Sequence, residues 1–318
     1  ICFTSCTVMP TTEDGTPLCF LADWKNEPHA WPKLWKHHAA QPEADLINDL
    51  ARKEEEPWLK RYGGLISSEW LLPKALQIFK ESPECFTSTK RFIEAGDWLV
   101  WMLCGREMRS MCQAGYKALW DIKNSYPSDF FLEKLSKGFG KLRNKLTEEI
   151  FPVGTCAGGL TIEMASKLKL NSGTSVSTAI IDAHAAFAGS GVANPGKMVM
   201  VMGTSTCHMV ISEKEVFVKG IAGVVKDGII PKYYGYESGQ SAVGDIFAWI
   251  IKNGIPESYY NESKKNNISI HELLVKKATS QKAGSHGLLA LDWLNGNRSI
   301  LMNSNLSGLL VGLTLNTR

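Results

Sequence analysis

The run Ala179-Ile180-Ile181-Asp182-Ala183-His184-Ala185-Ala186, followed by Met198-Val199-Met200-Val201-Met202-Gly203-Thr204-Ser205-Thr206, decides how this chain is read. The first segment is an apolar strand that ends at a carboxylate, which sets a proton acceptor on rigid scaffold. The second is an apolar strand that turns at small hydroxyl residues, where clustered backbone N–H groups let a phosphate come close. A base beside a phosphate cradle points to phosphoryl transfer onto a hydroxyl. Asp directly after a strand is also a frequent helix N-cap with no catalytic duty. Ala183, Ala185 and Ala186 leave open space around the carboxylate, which a cap does not require, and this favours the base.

Working outward, the spacing of Asp182 and His184 raises a metal site. No second ligand pair accompanies it, and adjacent His37-His38 cannot be placed beside it from sequence, so no protein-held metal is expected. Gly191-Val192-Ala193-Asn194-Pro195-Gly196-Lys197-Met198 fits G-x-x-x-x-G-K but ends in Met where a P-loop needs Ser or Thr, and a β-type run follows instead of a helix. Lys197 therefore reads as a turn residue. Lys117, in Gly115-Tyr116-Lys117-Ala118-Leu119-Trp120, and Glu237, in Gly235-Tyr236-Glu237-Ser238-Gly239, are charges set among glycine and aromatic residues. Such surroundings suit a polyhydroxylated ligand held by a few aimed polar groups. On residue type alone, a surface charge beside core aromatics is the more common case.

The rest of the chain reads as a mixture of helices and strands. Two short apolar runs joined by Glu13-Asp14-Gly15-Thr16-Pro17 suggest a hairpin. Helical spacing covers 35–53, 68–80, 97–104 capped by Gly105, 161–168, 239–252 and 271–279. The 105–155 segment reads as a helical excursion with an amphipathic stretch at 129–142. Strands are expected at 175–181, 198–202, 207–211 and 287–291. Asn194-Pro195-Gly196 marks a domain boundary, giving units at 1–193 and 194–318. The fold class is α/β in two domains.

Charge is nearly balanced, with 35 Lys plus Arg against 32 Asp plus Glu and a net of +3. That argues against nucleic acid or an anionic membrane as partner. No apolar stretch approaches the roughly 18 residues that span a bilayer. The eight cysteines lack C-x-x-C pairing and read as reduced thiols. A cytoplasmic location is the expectation. Ile1 is not a start methionine and both chain ends fall on strand-like runs, so we read the sequence as an internal stretch of a longer polypeptide.

Taken in order, Phe3-Thr4-Ser5-Cys6-Thr7, Lys33-Leu34-Trp35-Lys36-His37-His38-Ala39-Ala40, Glu94-Ala95-Gly96-Asp97-Trp98, Asp182-Ala183-His184-Ala185-Ala186, Met202-Gly203-Thr204-Ser205-Thr206, Gly239-Gln240-Ser241-Ala242-Val243-Gly244-Asp245 and Asn295-Gly296-Asn297-Arg298-Ser299 are similar to the FGGY carbohydrate kinases. The similarity runs nearly end to end and is greatest for bacterial-type members that phosphorylate L-ribulose. It implies a two-domain ribonuclease-H-like, actin-like fold, incomplete at both ends, with sugar and ATP meeting in the interdomain cleft. It implies Asp182 as the base that takes the sugar hydroxyl proton during attack on Mg2+-ATP, with the metal carried by the nucleotide. It further implies Ser5, Lys117, Asp182 and Glu237 as sugar contacts, Gly203, Thr204, Ser205 and Thr206 as the second phosphate turn, and ribulose 5-phosphate as product. A homodimer is left open.

The sequence also departs from the family. Cys2 stands where these kinases usually carry Asp, and Ser5 where Ala is common, which bears on substrate range. The first phosphate loop and the adenosine-binding glycine motif are expected before Ile1 and after Arg318, so the chain alone is expected to be inactive. The main rival is a sugar-binding fragment or paralogue without turnover. A metal-dependent hydrolase using Asp182 and His184 lacks further ligands.

Overall fold

The strands Cys2–Phe3 and Ile180–Ile181 pair in parallel, with Cys2 opposite Ile180 and Phe3 opposite Ile181. The segments that leave them, residues 4–7 and the helix Asp182–Gly189, therefore depart from the same end of one small sheet. The computed structural model describes residues 1–318 except Lys36, Ser304, Asn316 and Arg318; the quoted Lys33-to-Ala40 run at Lys36, and the chain end at Asn316 and Arg318, lie outside the described residues. Contacts group the chain into two units, one made of Ile1–Val201 with His208–Ser238, the other of Met202–Cys207 with the segment from Gly239 onward.

The first unit buries its largest core among helices. Gln41–Lys53 and Leu71–Glu81 lay Ala44, Ile47, Ala51, Leu71, Ala75, Leu76 and Ile78 against Tyr62, Trp70, Phe86, Phe92, Phe131 and Phe139. Aromatic rings meet edge to face, as in Phe79 on Phe86 at 4.9 Å and Trp58 on Phe131 at 5.5 Å, a geometry that adds to area burial. Pro73 is accommodated in the first turn of its helix, where its missing N–H leaves no bond unmade. The helix Ala95–Cys104 ends at Gly105 in the left-handed conformation (φ 73°), as the sequence indicates.

Several sequence expectations are revised. Val8–Thr11 is not half of a hairpin with the run after Pro17. It pairs antiparallel with Arg91–Glu94, and only a single bridge joins Thr11 to Pro17. The Asp-Gly turn forms, with Gly15 N–H donating to Thr12 O, but the strand paired with Val8–Thr11 lies 80 residues downstream, where Phe92, Ile93 and Glu94 are buried. The helix expected from 35 begins at Gln41, and the 105–155 segment holds two short helices, Met111–Lys117 and Asp129–Leu135, plus a two-residue parallel pair, Arg109–Ser110 with Ile150–Phe151. The 175–181 strand is broken into Ser175–Ser177 and Ile180–Ile181. Residues 239 and 240 end a strand, Tyr234–Gln240, that sequence reading missed, and the helix expected there starts at Gly244.

A four-stranded sheet has the order Gly223–Lys226, Tyr234–Gln240, Thr206–Ser212 and Met198–Met202. In the second unit the helices Gly244–Gly254, Glu257–Lys265 and Ile270–Thr279 accompany an antiparallel pair, Leu289–Leu291 with Leu309–Val311. Among the described residues no helix is long and apolar enough to cross a membrane.

Candidate active site

Glycines seat the helix Met111–Lys117 directly on the strand Gly223–Lys226. A Cβ on Gly115 would collide with Val225, and one on Gly223 or Gly235 would come within 2.6 or 2.5 Å of the Tyr116 ring and hydroxyl. The fully buried Tyr116 thus fills a slot that side chains would close. The next residue, Lys117, reaches Glu237 on the neighbouring strand. Its Nζ donates to both carboxylate oxygens, at 3.2 and 3.1 Å, and both residues are less than a tenth exposed. The surface-charge reading of this pair does not hold.

Glu237 has a second neighbour. His184 Nε2 lies 3.2 Å from Glu237 Oε2, and its Nδ1 lies 3.0 Å from Cys112 Sγ. Sequence reading treated His184 as a possible metal ligand and ignored Cys112, because a lone Cys in a short helix carries no signal by spacing. Among the described residues no group of three or more His, Cys, Asp or Glu side chains is arranged to hold a metal.

Asp182 is the first residue of its helix and is exposed, while the cap position belongs to Ile181, which makes no side-chain cap bond. The carboxylate sits two residues before His184, so a strand end, an exposed carboxylate and the buried Glu237 are linked through four residues of chain and one 3.2 Å contact. A first-turn carboxylate is favoured by the helix dipole.

Ser5 follows the partner strand. Its Oγ donates to Glu94 Oε2 at 3.3 Å, while Cys6 Sγ and Thr7 N donate to the same carboxyl at 2.6 and 2.9 Å. Burial pushes the Glu94 carboxyl above its ordinary value, opposed by the Cys6 bond and by the charge of Lys74. Lys74, with no exposed surface, holds the same loop from below by donating to the carbonyls of Cys6, Lys33 and Leu34. Glu94 falls in a quoted motif without an assigned role, and Lys74 falls in none. Lys74 was detectable as a charge on the apolar face Leu71-Leu72-Pro73-Lys74-Ala75-Leu76. Ser5, Lys117, Asp182 and Glu237 all fall in the first unit.

The turn Gly203–Thr206 belongs to the second unit. Gly203 N–H is spent on Ser205 O at 2.8 Å, and the carbonyls of Gly203 and Thr204 accept from Gly244 and Val243 at 3.0 and 2.8 Å. This ties the turn to the start of the helix Gly244–Gly254, whose first glycine is needed because a Cβ there would meet Gly203 O at 2.8 Å. Thr206 Oγ1 is buried and has no hydrogen-bond partner among the described residues. A buried hydroxyl without a partner beside a backbone turn fits an anionic oxygen acceptor.

Residues 198–318 match the C-terminal domain of the FGGY family of carbohydrate kinases. The chain is 52% identical over 317 residues to a ribulokinase of Bacillus licheniformis and 51% identical to one of Halalkalibacterium halodurans. It spans 99% of itself in both matches but 57% and 56% of those relatives. Solved xylulose kinases from Rhodospirillum rubrum and Lactobacillus acidophilus superpose with TM-scores of 0.75 and 0.76 at 18% and 16% identity, over 98% of this chain and 58% of theirs. The fold is therefore the ribonuclease-H-like, actin-like one expected from the motifs. The match to the FGGY family model is confined to residues 198–318, and the chain as a whole is similar in sequence to the ribulokinases.

Proposed function

We propose that this chain carries the sugar pocket and part of the nucleotide site of an ATP-dependent kinase that converts ribulose, in its L form, to ribulose 5-phosphate. The observation that carries the reading is the linkage, within one unit, of an exposed strand-end carboxylate at Asp182 to a buried Lys117–Glu237 pair through His184. Asp182 accepts the proton of the attacking sugar hydroxyl. Lys117 and Glu237, locked against each other, offer a donor and an acceptor at fixed positions to neighbouring hydroxyls, and Ser5 completes the wall. Orientation of this kind contributes through avoided entropy loss in the transition state. The turn Gly203–Thr206 receives phosphate from ATP, with Mg2+ arriving on the nucleotide. The domain boundary near Asn194-Pro195-Gly196 and a cytoplasmic location belong to the same reading.

The test is an ADP-release assay on the full-length gene product with saturating L-ribulose and ATP, beside Asp182→Asn. General-base catalysis contributes about 10² to 10⁴ in rate, so turnover falls by that factor while calorimetric ribulose affinity stays within about threefold. Wild-type turnover in the variant removes Asp182 from the mechanism. Ribulose binding without turnover in the unaltered protein returns the chain to a sugar-binding role.

A further inference from the structure

Cys112 is completely buried in the helix that also carries Tyr116 and Lys117, and its sulfur stands at a junction. Ile181 N–H donates to Cys112 Sγ at 3.5 Å, and His184 Nδ1 lies 3.0 Å from the same sulfur. His184 is 1% exposed, its ring lies 4.4 Å from that of Tyr116 at a tilt of 44°, and its Nε2 faces Glu237 at 3.2 Å. Burial pushes the Cys112 thiol well up, so it keeps its proton at neutral pH. A protonated thiol that already accepts from Ile181 directs its S–H at Nδ1. That leaves Nε2 as the nitrogen that carries the ring proton and donates it to Glu237.

We propose that Cys112 is a positioning residue of the sugar site: it sets the His184 tautomer and, through His184, aims the Glu237 carboxylate. The chain of donors runs from Ile181 N–H to Cys112, from Cys112 S–H to His184 Nδ1, and from His184 Nε2–H to Glu237, which Lys117 holds from its other side. It begins at the residue immediately before Asp182. The carboxylate that orients sugar and the carboxylate that takes its proton are thereby referenced to the same strand end, by this chain of donors as well as by the helix that carries both Asp182 and His184. Without the thiol, the buried Nδ1 loses its donor, and the ring gains a second arrangement in which Glu237 receives no proton.

Naming the ligand a sugar rests on the ribulose-kinase reading above; the hydrogen-bond order does not. Nitrogen-15 NMR of the His184 imidazole reads the tautomer directly in the full-length protein. The expected result is a bare Nδ1 and a protonated Nε2 in the unaltered protein and in Cys112→Ser, whose hydroxyl also donates. In Cys112→Ala the fixed tautomer is lost, L-ribulose affinity by calorimetry weakens roughly tenfold, and ATP affinity is unchanged. A protonated Nδ1 in the unaltered protein overturns the proposal whether or not the variants fold. So does a Cys112→Ala protein with the original tautomer and ribulose affinity. If the unaltered protein binds no ribulose, the substrate reading fails and the imidazole spectrum alone decides the relay.

Discussion

Replacing Lys117 by Met removes a cation from a place where its anion cannot be rehydrated. Glu237 is 6% exposed, and Lys117 Nζ contacts both of its oxygens at 3.2 and 3.1 Å. Breaking a buried ion pair from one side costs about 3 to 5 kcal/mol, because a charge is left without compensation. Glu237 keeps the His184 contact at 3.2 Å, which sets the expectation at the lower end, about 3 kcal/mol. Glu237→Gln, which strands the ammonium, is expected to cost a similar amount. Lys117→Met combined with Glu237→Gln removes both charges together, so the double variant loses well under the sum, with a coupling of about 2 kcal/mol or more. Urea denaturation followed by circular dichroism, with linear extrapolation, measures all four corners of the cycle. If the two single losses simply add in the double variant, or if Lys117→Met lies within about 0.5 kcal/mol of the unaltered protein as surface changes do, the pair is not the coupled, buried unit described.

Three further outcomes follow from other parts of the molecule. Burial raises the Asp97 carboxyl well above its ordinary value, opposed by Arg109 and by the Ser110 N–H. The folded state therefore holds that proton more tightly than the unfolded one, and this contribution to stability is full below the ordinary carboxylate pKa and is lost as pH rises toward the raised value. The stability of Asp97→Asn relative to the unaltered protein should accordingly grow from acid toward neutral pH, and a flat difference across paired thermal melts would contradict this. Thr206→Val, which deletes the partnerless buried hydroxyl, should raise the KM for ATP about five- to tenfold and leave the ribulose KM alone; equal shifts in both would move Thr206 out of the phosphate turn. Gly63→Ala places a Cβ against the Ile221 backbone at φ 65° and should destabilise by more than about 1 kcal/mol. An unchanged urea midpoint would show that the loop from 216 to 221 shifts freely.

Helices with clear periodicity and caps were legible in the sequence. Thr161 Oγ1 accepts from Met164 N–H ahead of Ile162–Leu168, and Ser269 Oγ accepts from Glu272 N–H ahead of Ile270–Thr279. The strands Met198–Met202 and Thr206–Ser212 were legible because they flank one turn. What sequence could not supply was pairing at long range. Val8–Thr11 had a local partner by turn chemistry, and only the folded chain reveals that it pairs with Arg91–Glu94 instead. The site followed the same division. Asp182, Lys117 and Glu237 stood out by type and surroundings, whereas Cys112, which contacts His184, and Glu94 and Lys74, which hold the loop of Ser5, are residues whose contacts come from being enclosed.

The two-residue parallel pair that holds Asp182 joins Cys2 to Ile180. Closing a flexible loop of roughly 180 residues costs about 4 to 5 kcal/mol from the length-dependent term alone, against a few backbone hydrogen bonds worth about 1 kcal/mol each. The pair is too weak to initiate folding and can form only after the intervening helices have condensed. During synthesis, at roughly 5 to 20 residues per second, the strand Cys2–Phe3 waits some ten to forty seconds for Ile180–Ile181 to emerge. Asp182, at the end of that pair, thus reaches its place only late in folding.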